Sequence, residues 1–352
     1  MRTNAVARAD FAGPNPPNDY RVNMSLIALE EHYAWDPASV GNVVGTWLQS
    51  NNTVAYERLY DRGPLRLEQM DAAGIDFQIL SLFDPGVQDE TDVARATDLA
   101  RRANDDLAET VRGNPGRFGG FATLATQDPD AAAAELERAV CELGLVGALI
   151  NGHCQGRYLD DPAYEGLFGC AEAMSVPIYL HPTTPHPAVM EAWFAPYVAD
   201  GLHLASWGFA AETGTHVLRL IYSGLFDKFP RLQMIIGHLG EMLPFAAYRV
   251  DRYYGLGGSD SGKRLQRLPS EYLRSNFHVT TSGNFCPPAF ACTLEVMGAD
   301  RVMFSVDYPM DDNQAGAEFL ASYPMDDLTL RKVSSENAIR LFGARIPESL
   351  GV

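Results

Sequence analysis

Ile27-Ala28-Leu29-Glu30-Glu31-His32 is a short apolar run that ends in two carboxylates and an imidazole. Side chains alternate along a strand, so Glu30 and His32 share one side while Glu31 points away, to a supporting or outer-face position. Three more apolar runs end alike: 176–180 stops at His181, 234–237 at His238, and 302–306 at Asp307. Any one of these residues alone would usually be a hydrogen-bonded structural group. A Glu-x-His pair, two single histidines and an aspartate at four strand-like ends instead describe one metal site on one rim of a sheet.

The architecture follows outward from those ends. Candidate strands occupy residues 25–29, 77–82, 118–124, 146–151, 176–181, 232–238, 277–282 and 302–307. Most are short and apolar, as strands covered on both faces should be. Amphipathic helical stretches such as 92–112 and 129–143 lie between them. This alternation predicts a (β/α)8, or TIM, barrel over an open doubly wound sheet. A dinucleotide-binding sheet would carry a glycine-rich loop after its first strand, where this chain has Glu30-Glu31-His32. The ligand-type residues fall at the ends of strands one, five, six and eight, the C-terminal rim on which barrel active sites form. The long connections 34–63 and 186–207 read as lid insertions over that rim. Residues 1–23, polar and proline-containing, read as a flexible arm before a single barrel domain over 24–352.

At 352 residues and 46% hydrophobic, the chain can bury a large core. Its formal charge of −18 argues against nucleic acid or an anionic membrane as partner. A metal ion and an arginine can still reverse the potential locally for a small anion. No apolar stretch approaches the roughly 20 residues that span a bilayer, and the N-terminus lacks a secretory pattern. Five cysteines without CxxC spacing predict a reduced, cytoplasmic setting.

Nitrogen and oxygen ligands without thiolate suit Zn²⁺ or Mn²⁺, and Mg²⁺ less well. Glu241, three residues after His238, would orient that imidazole and raise its basicity, or else serve as a first-turn helix carboxylate. His153, just beyond strand four, is a substrate contact or a loop-structural residue. Arg249 would neutralise a substrate carboxylate, while Arg252 reads as a surface salt bridge. His216 reads as a packing residue, His278 faces either way, and His186 and His203 should be exposed in a lid. Cys154 and Cys286 have no evident base and read as bystanders.

Taken with Ile236-Gly237-His238-Leu239-Gly240-Glu241 and Phe304-Ser305-Val306-Asp307-Tyr308-Pro309, the opening run resembles the metal-dependent aromatic acid decarboxylases of the amidohydrolase superfamily. The likeness is greatest to those acting on γ-resorcylate, 2,3-dihydroxybenzoate and salicylate, with the 5-carboxyvanillate enzymes a further relative. It spans about residues 26–342 and includes Asn114-Pro115-Gly116-Arg117-Phe118, Leu180-His181-Pro182 and Thr280-Thr281-Ser282-Gly283-Asn284-Phe285. The resemblance implies one divalent metal per subunit, a small aromatic carboxylic acid as substrate, and homodimers or homotetramers. It carries Glu30, His32, His181 and Asp307 onto the metal ligands, and His238 and Glu241 onto an active-site histidine and its partner carboxylate. Arg249 resembles an arginine that follows them. Met310 departs from the aromatic residue usual near the substrate, which turns against 2,6-dihydroxybenzoate as the preferred acid. The expected reaction is loss of CO₂ after Asp307 protonates the ring carbon. The alternative is a hydrolase using activated water.

Overall fold

The computed structural model describes residues 24–35, 52–256 and 264–351. The arm expected over 1–23, and residues 36–51 of the first expected lid, lie outside the described residues. The strands are β1 (Ile27–Tyr33), β2 (Phe77–Leu82), β3 (Phe118–Thr123), β4 (Gly147–Asn151), β5 (Ile178–His181), β6 (Met234–Ile236), β7 (Phe277–Thr280) and β8 (Val302–Met303). They form one eight-stranded sheet in sequence order, each parallel to the next.

Closure between β8 and β1 uses side chains as well as backbone. His32 N donates to Tyr308 O at 2.7 Å and Asp307 N to Glu30 O at 3.1 Å. Ser305 Oγ accepts from Leu29 N and Glu30 N at 3.0 and 2.7 Å. Glu31 is fully buried at this seam and accepts from Ser305 Oγ, Val306 N and Tyr308 N at 2.8, 3.0 and 3.2 Å. It therefore has a supporting role, replacing strand pairing where the ladder gives out. The result is the expected (β/α)8 barrel, nearly closed.

Two strands are shorter than the apolar runs suggest. β6 ends at Ile236 and β8 at Met303, so His238 and Asp307 lie beyond the ladder. Both have left-handed backbone, φ 53° and 76°, which no strand can contain. β1 is longer than expected, because Glu31 to Tyr33 remain paired with β2 beyond a register shift between Ala28 and Glu31.

Helices cover the outside. Val93–Gly113 starts at Asp92, whose carboxylate caps Arg95 N, and buries Ala96, Ala100, Ala103, Leu107 and Ala108 at helical spacing. Pro129–Cys141 has Asp128 as its cap and Pro129 as its first residue, where a missing N–H costs nothing. Inside the barrel, Leu29, Ile79, Phe121, Leu149, Tyr179, Ile235 and Met303 share a core with Ala338, Phe342, Ile346 and Leu350. Asn337 Nδ2 donates to Val302 O at the start of β8, so the C-terminal segment plugs the barrel end opposite the candidate ligands. Residues 187–197 of the second expected lid form short helical turns and expose Trp193 and Tyr197.

Candidate metal centre

Glu30, His32, His181 and Asp307 each present one donor atom to a common point, and these atoms lie within 4.8 Å of one another. The two oxygens of buried Glu30 are treated differently. Oε2 accepts hydrogen bonds from Tyr179 OH and Ser282 Oγ. Oε1 has no hydrogen-bond partner among the described residues and stands 3.3 Å from His181 Nε2. His32 Nδ1 is engaged by Ser81 Oγ at 3.1 Å, which turns Nε2 inward. That nitrogen lies 3.1 Å from Asp307 Oδ1 but outside hydrogen-bonding geometry. Two carboxylates and two imidazoles thus converge, with the inward-facing Glu30 Oε1 and His32 Nε2 left unsatisfied. Buried acceptors in such a group call for a cation, and the donor set fits one divalent ion.

His238 stands beside this cluster on an unusual turn. Five successive residues, His238 to Met242, have φ of 53°, 60°, 86°, 51° and 64°. A left-handed turn costs roughly 1–2 kcal/mol per non-glycine residue and persists only where its surroundings over-determine it. Here it sets His238 Nδ1 2.7 Å from Glu241 Oε1 and His238 Nε2 3.5 Å from Asp307 Oδ2. Close approach also requires Gly237, where a Cβ would come within 2.5 Å of Glu30 Oε2.

The charges follow from burial and neighbours. Burial raises the Glu30 carboxyl, against the pull of His238 and His32. Burial would also raise Asp307, but contacts with His238 and His32 prevail and hold it well below the carboxylate range. His238 is the reverse case: burial works against its charge, yet Glu241 and Glu30 lift it well above the usual histidine value. His181 is driven well below that value by burial and by His32.

The other expected residues are dispersed. Arg249 is exposed on the outer face of helix Leu243–Tyr253, its guanidinium 4.9 Å from the Tyr253 ring centroid, and does not join the cluster. Met310 packs on a small apolar group of Ala34, Ala55, Leu59 and Phe83, and Phe83 meets the His32 ring edge-on at 5.5 Å. His153 lies one loop away, with Nδ1 accepting from Gly156 N at 3.1 Å and its ring between Tyr158 and His186. His216 is structural, accepting from Leu159 N at 2.9 Å. His186 and His203 are half-buried, not exposed, and His186 stacks on Tyr158. Sequence reasoning passed over Tyr179, Ser282, Ser81 and Ser305. Strand alternation was an available signal for Tyr179, two residues before His181.

An eight-stranded parallel barrel with this carboxylate–imidazole cluster on its C-terminal rim defines a barrel enzyme built around one divalent metal. Residues 30–344 match the amidohydrolase family. The chain is 40% identical to the γ-resorcylate decarboxylase of Rhizobium sp. strain MTP-10005 over 328 residues, 90% of this chain and 97% of that one. It superposes with a TM-score of 0.85 on a 2,6-dihydroxybenzoate decarboxylase solved with 2,6-dihydroxybenzoate, at 39% identity over 91% of this chain and 99% of the other. The dihydroxybenzoic acid decarboxylase of Polaromonas sp. JS666, solved with manganese and the inhibitor 2-nitroresorcinol, gives a TM-score of 0.86 at 38% identity, over 94% and 100% of the two chains. The protein belongs to the amidohydrolase family, among its aromatic acid decarboxylases.

Proposed function

We propose that the protein is a metal-dependent, non-oxidative decarboxylase of an ortho-hydroxybenzoate, releasing the phenol and CO₂, in a reaction that can run in reverse. The observation that carries this is the Glu30–His32–His181–Asp307 cluster with the His238–Glu241 pair 3.5 Å from Asp307. Those four residues would hold the ion, Mn²⁺ or Zn²⁺ before Mg²⁺. When bound, it supplies positive charge that orients an aromatic carboxylate with its ortho-oxygen and stabilises phenolate.

The chain's own residues move the proton. His238, paired with Glu241 and raised well above the usual value, carries it at Nε2. Asp307 Oδ2 receives it transiently and delivers it to the ring carbon bearing the carboxylate. The carbon–carbon bond then breaks, CO₂ leaves, and its electron pair restores the aromatic ring. Because Asp307 is held strongly acidic, His238 is the reservoir and Asp307 the donor of the moment. The apolar group around Phe83 and Met310 offers a wall for the ring, and His153 a more distant polar contact. Arg249, facing outward, has no role in this chain's own site.

The exposed side of helix Leu243–Tyr253 carries Phe245 and Tyr248, 86% and 81% exposed, with Leu256 just beyond. Such a face supports a homodimer or homotetramer. All five cysteines are free, which supports a cytoplasmic setting, and among the described residues no helix is long and apolar enough to cross a membrane. The family match and the plugged barrel end support one domain over 24–352.

The test is metal-loaded enzyme with salicylate and with 2,3- and 2,6-dihydroxybenzoate in D₂O. Decarboxylation predicts a phenol with one deuterium at the former carboxyl carbon, lost on chelation. Metal-bound enzyme that converts none of them overturns the ortho-hydroxybenzoate reading, and solvent oxygen in a product would make it a hydrolase.

A further inference from the structure

At the barrel end opposite the metal centre lies a cavity of about 570 Å³, whose walls include Val176, Pro177, His278, Arg301, Arg340 and Leu341. These residues stand at the starts of β5, β7 and β8 and on the C-terminal plug. Its volume is in the range of small-molecule pockets, about 300–1,000 Å³.

Charge balance inside it is incomplete. Glu172 is matched by Arg231 at 3.3 Å. Asp300 is matched by Lys332 at 2.8 Å and Arg340 at 3.7 Å. Arg301 has no carboxylate at ion-pair distance among the described residues. Its Nη1 instead contacts two neutral groups, Gln233 Oε1 at 2.8 Å and His278 Nε2 at 3.1 Å.

That second contact fixes a tautomer. A guanidinium only donates, so His278 Nε2 must accept, and the ring proton sits on Nδ1. His278 is 3% exposed, and its Nδ1 has no hydrogen-bond partner among the described residues. A buried donor left without an acceptor costs roughly 1–3 kcal/mol, and a partly desolvated guanidinium without a counter-ion adds to the cost. An oxyanion on Arg301 would relieve the second of these costs, while Val176, Pro177 and Leu341 offer apolar wall beside it.

We propose that this cavity binds a small organic monocarboxylate, its oxygens on Arg301 and its apolar part against Val176, Pro177 and Leu341. The site is separate from the metal centre and does not depend on the reaction assigned there.

Benzoate is the first probe, titrated calorimetrically into metal-loaded enzyme, with inorganic phosphate as the second arm. Arg301→Gln removes the cation, and Leu341→Trp fills the cavity while keeping it. Each should lose one benzoate equivalent per chain, or bind it at least tenfold more weakly, with any benzoate at the metal centre unaffected. In wild-type enzyme labelled with ¹⁵N-histidine, benzoate on Arg301 should shift the resonance of His278 Nε2, which lies 3.1 Å from Arg301 Nη1, a readout that survives even if a variant fails to fold. Unchanged stoichiometry in the folded variants, or no His278 shift, overturns the proposal. A shift with phosphate but not benzoate overturns the monocarboxylate in favour of an inorganic anion.

Discussion

Tyr179 and Ser282 both donate to Glu30 Oε2, and Tyr179 OH also meets Thr280 Oγ1 at 2.9 Å. These hydroxyls fix the rotamer that aims Oε1 at the metal point. Supporting groups of this kind typically contribute 10- to 100-fold in metal affinity. Tyr179→Phe should therefore retain metal about 10- to 100-fold less tightly, read by metal content after chelator dialysis, and recover turnover in excess metal. Asp307→Asn should behave differently. It removes the proton donor as well as a ligand, so turnover should fall by at least about 100-fold even when metal content is restored. Near-normal turnover would remove Asp307 from the proton path. Glu30, His32, His181 and Asp307 were legible because charged residues stand out after apolar runs. The hydroxyls that aim them were not, because a strand tyrosine or serine looks the same in sequence whether it packs or supports a ligand.

The turn over residues 238–242 shows why strand ends were harder to read than strands. The run 232–238 looks continuous, yet His238 leaves the ladder in a left-handed conformation that no propensity would assign to His, Leu, Glu and Met in succession. Tertiary contacts impose it: Leu239 N donates to Thr280 O at 2.8 Å, and Thr293 Oγ1 donates to Leu239 O at 3.0 Å. Met242 is 42% exposed at φ 64°, so its side chain contributes little to offset the backbone cost. Met242→Gly should leave stability unchanged or raise it by up to about 1 kcal/mol, as relief of the left-handed strain outweighs the added chain entropy. Gly240→Ala should do the opposite. Its φ is 86°, and a Cβ there would come within 2.9 Å of Pro244 Cδ, so a loss of about 1–3 kcal/mol is expected from backbone strain and overpacking. Urea unfolding of both variants at equal metal loading checks the pair, and a destabilised Met242→Gly would show that the turn is not strained.

For the whole molecule, eight apolar runs alternating with helical stretches, with Glu30-Glu31-His32 where an open doubly wound sheet would carry a glycine-rich loop, were enough to predict the barrel. The plug under it was not legible, because the segment supplying Ala338, Phe342 and Ile346 has no strand partner to announce it. Stability against acid is set at this scale by groups that oppose one another. Burial lowers His216 and His278 to about 3, whereas it raises Glu31 and Asp84 to about 7. A histidine kept neutral in the fold is protonated in the unfolded chain below about pH 6.5, so its contribution falls as pH drops from there toward 3. A carboxyl raised to about 7 contributes in the other direction, since the fold holds its proton before the unfolded chain does. The two pairs largely cancel between about pH 6.5 and 4.5. His216→Gln unbalances these pairs. Each pH unit below 6.5 removes about 1.4 kcal/mol of the advantage wild type holds over the variant, so the cost of the substitution should shrink by about 2 kcal/mol between pH 7.5 and 5.0. Denaturant unfolding of both proteins at the two pH values, with metal loading matched, measures that difference. A cost independent of pH would mean that the His216 imidazole takes up its proton in the folded barrel as readily as in the unfolded chain.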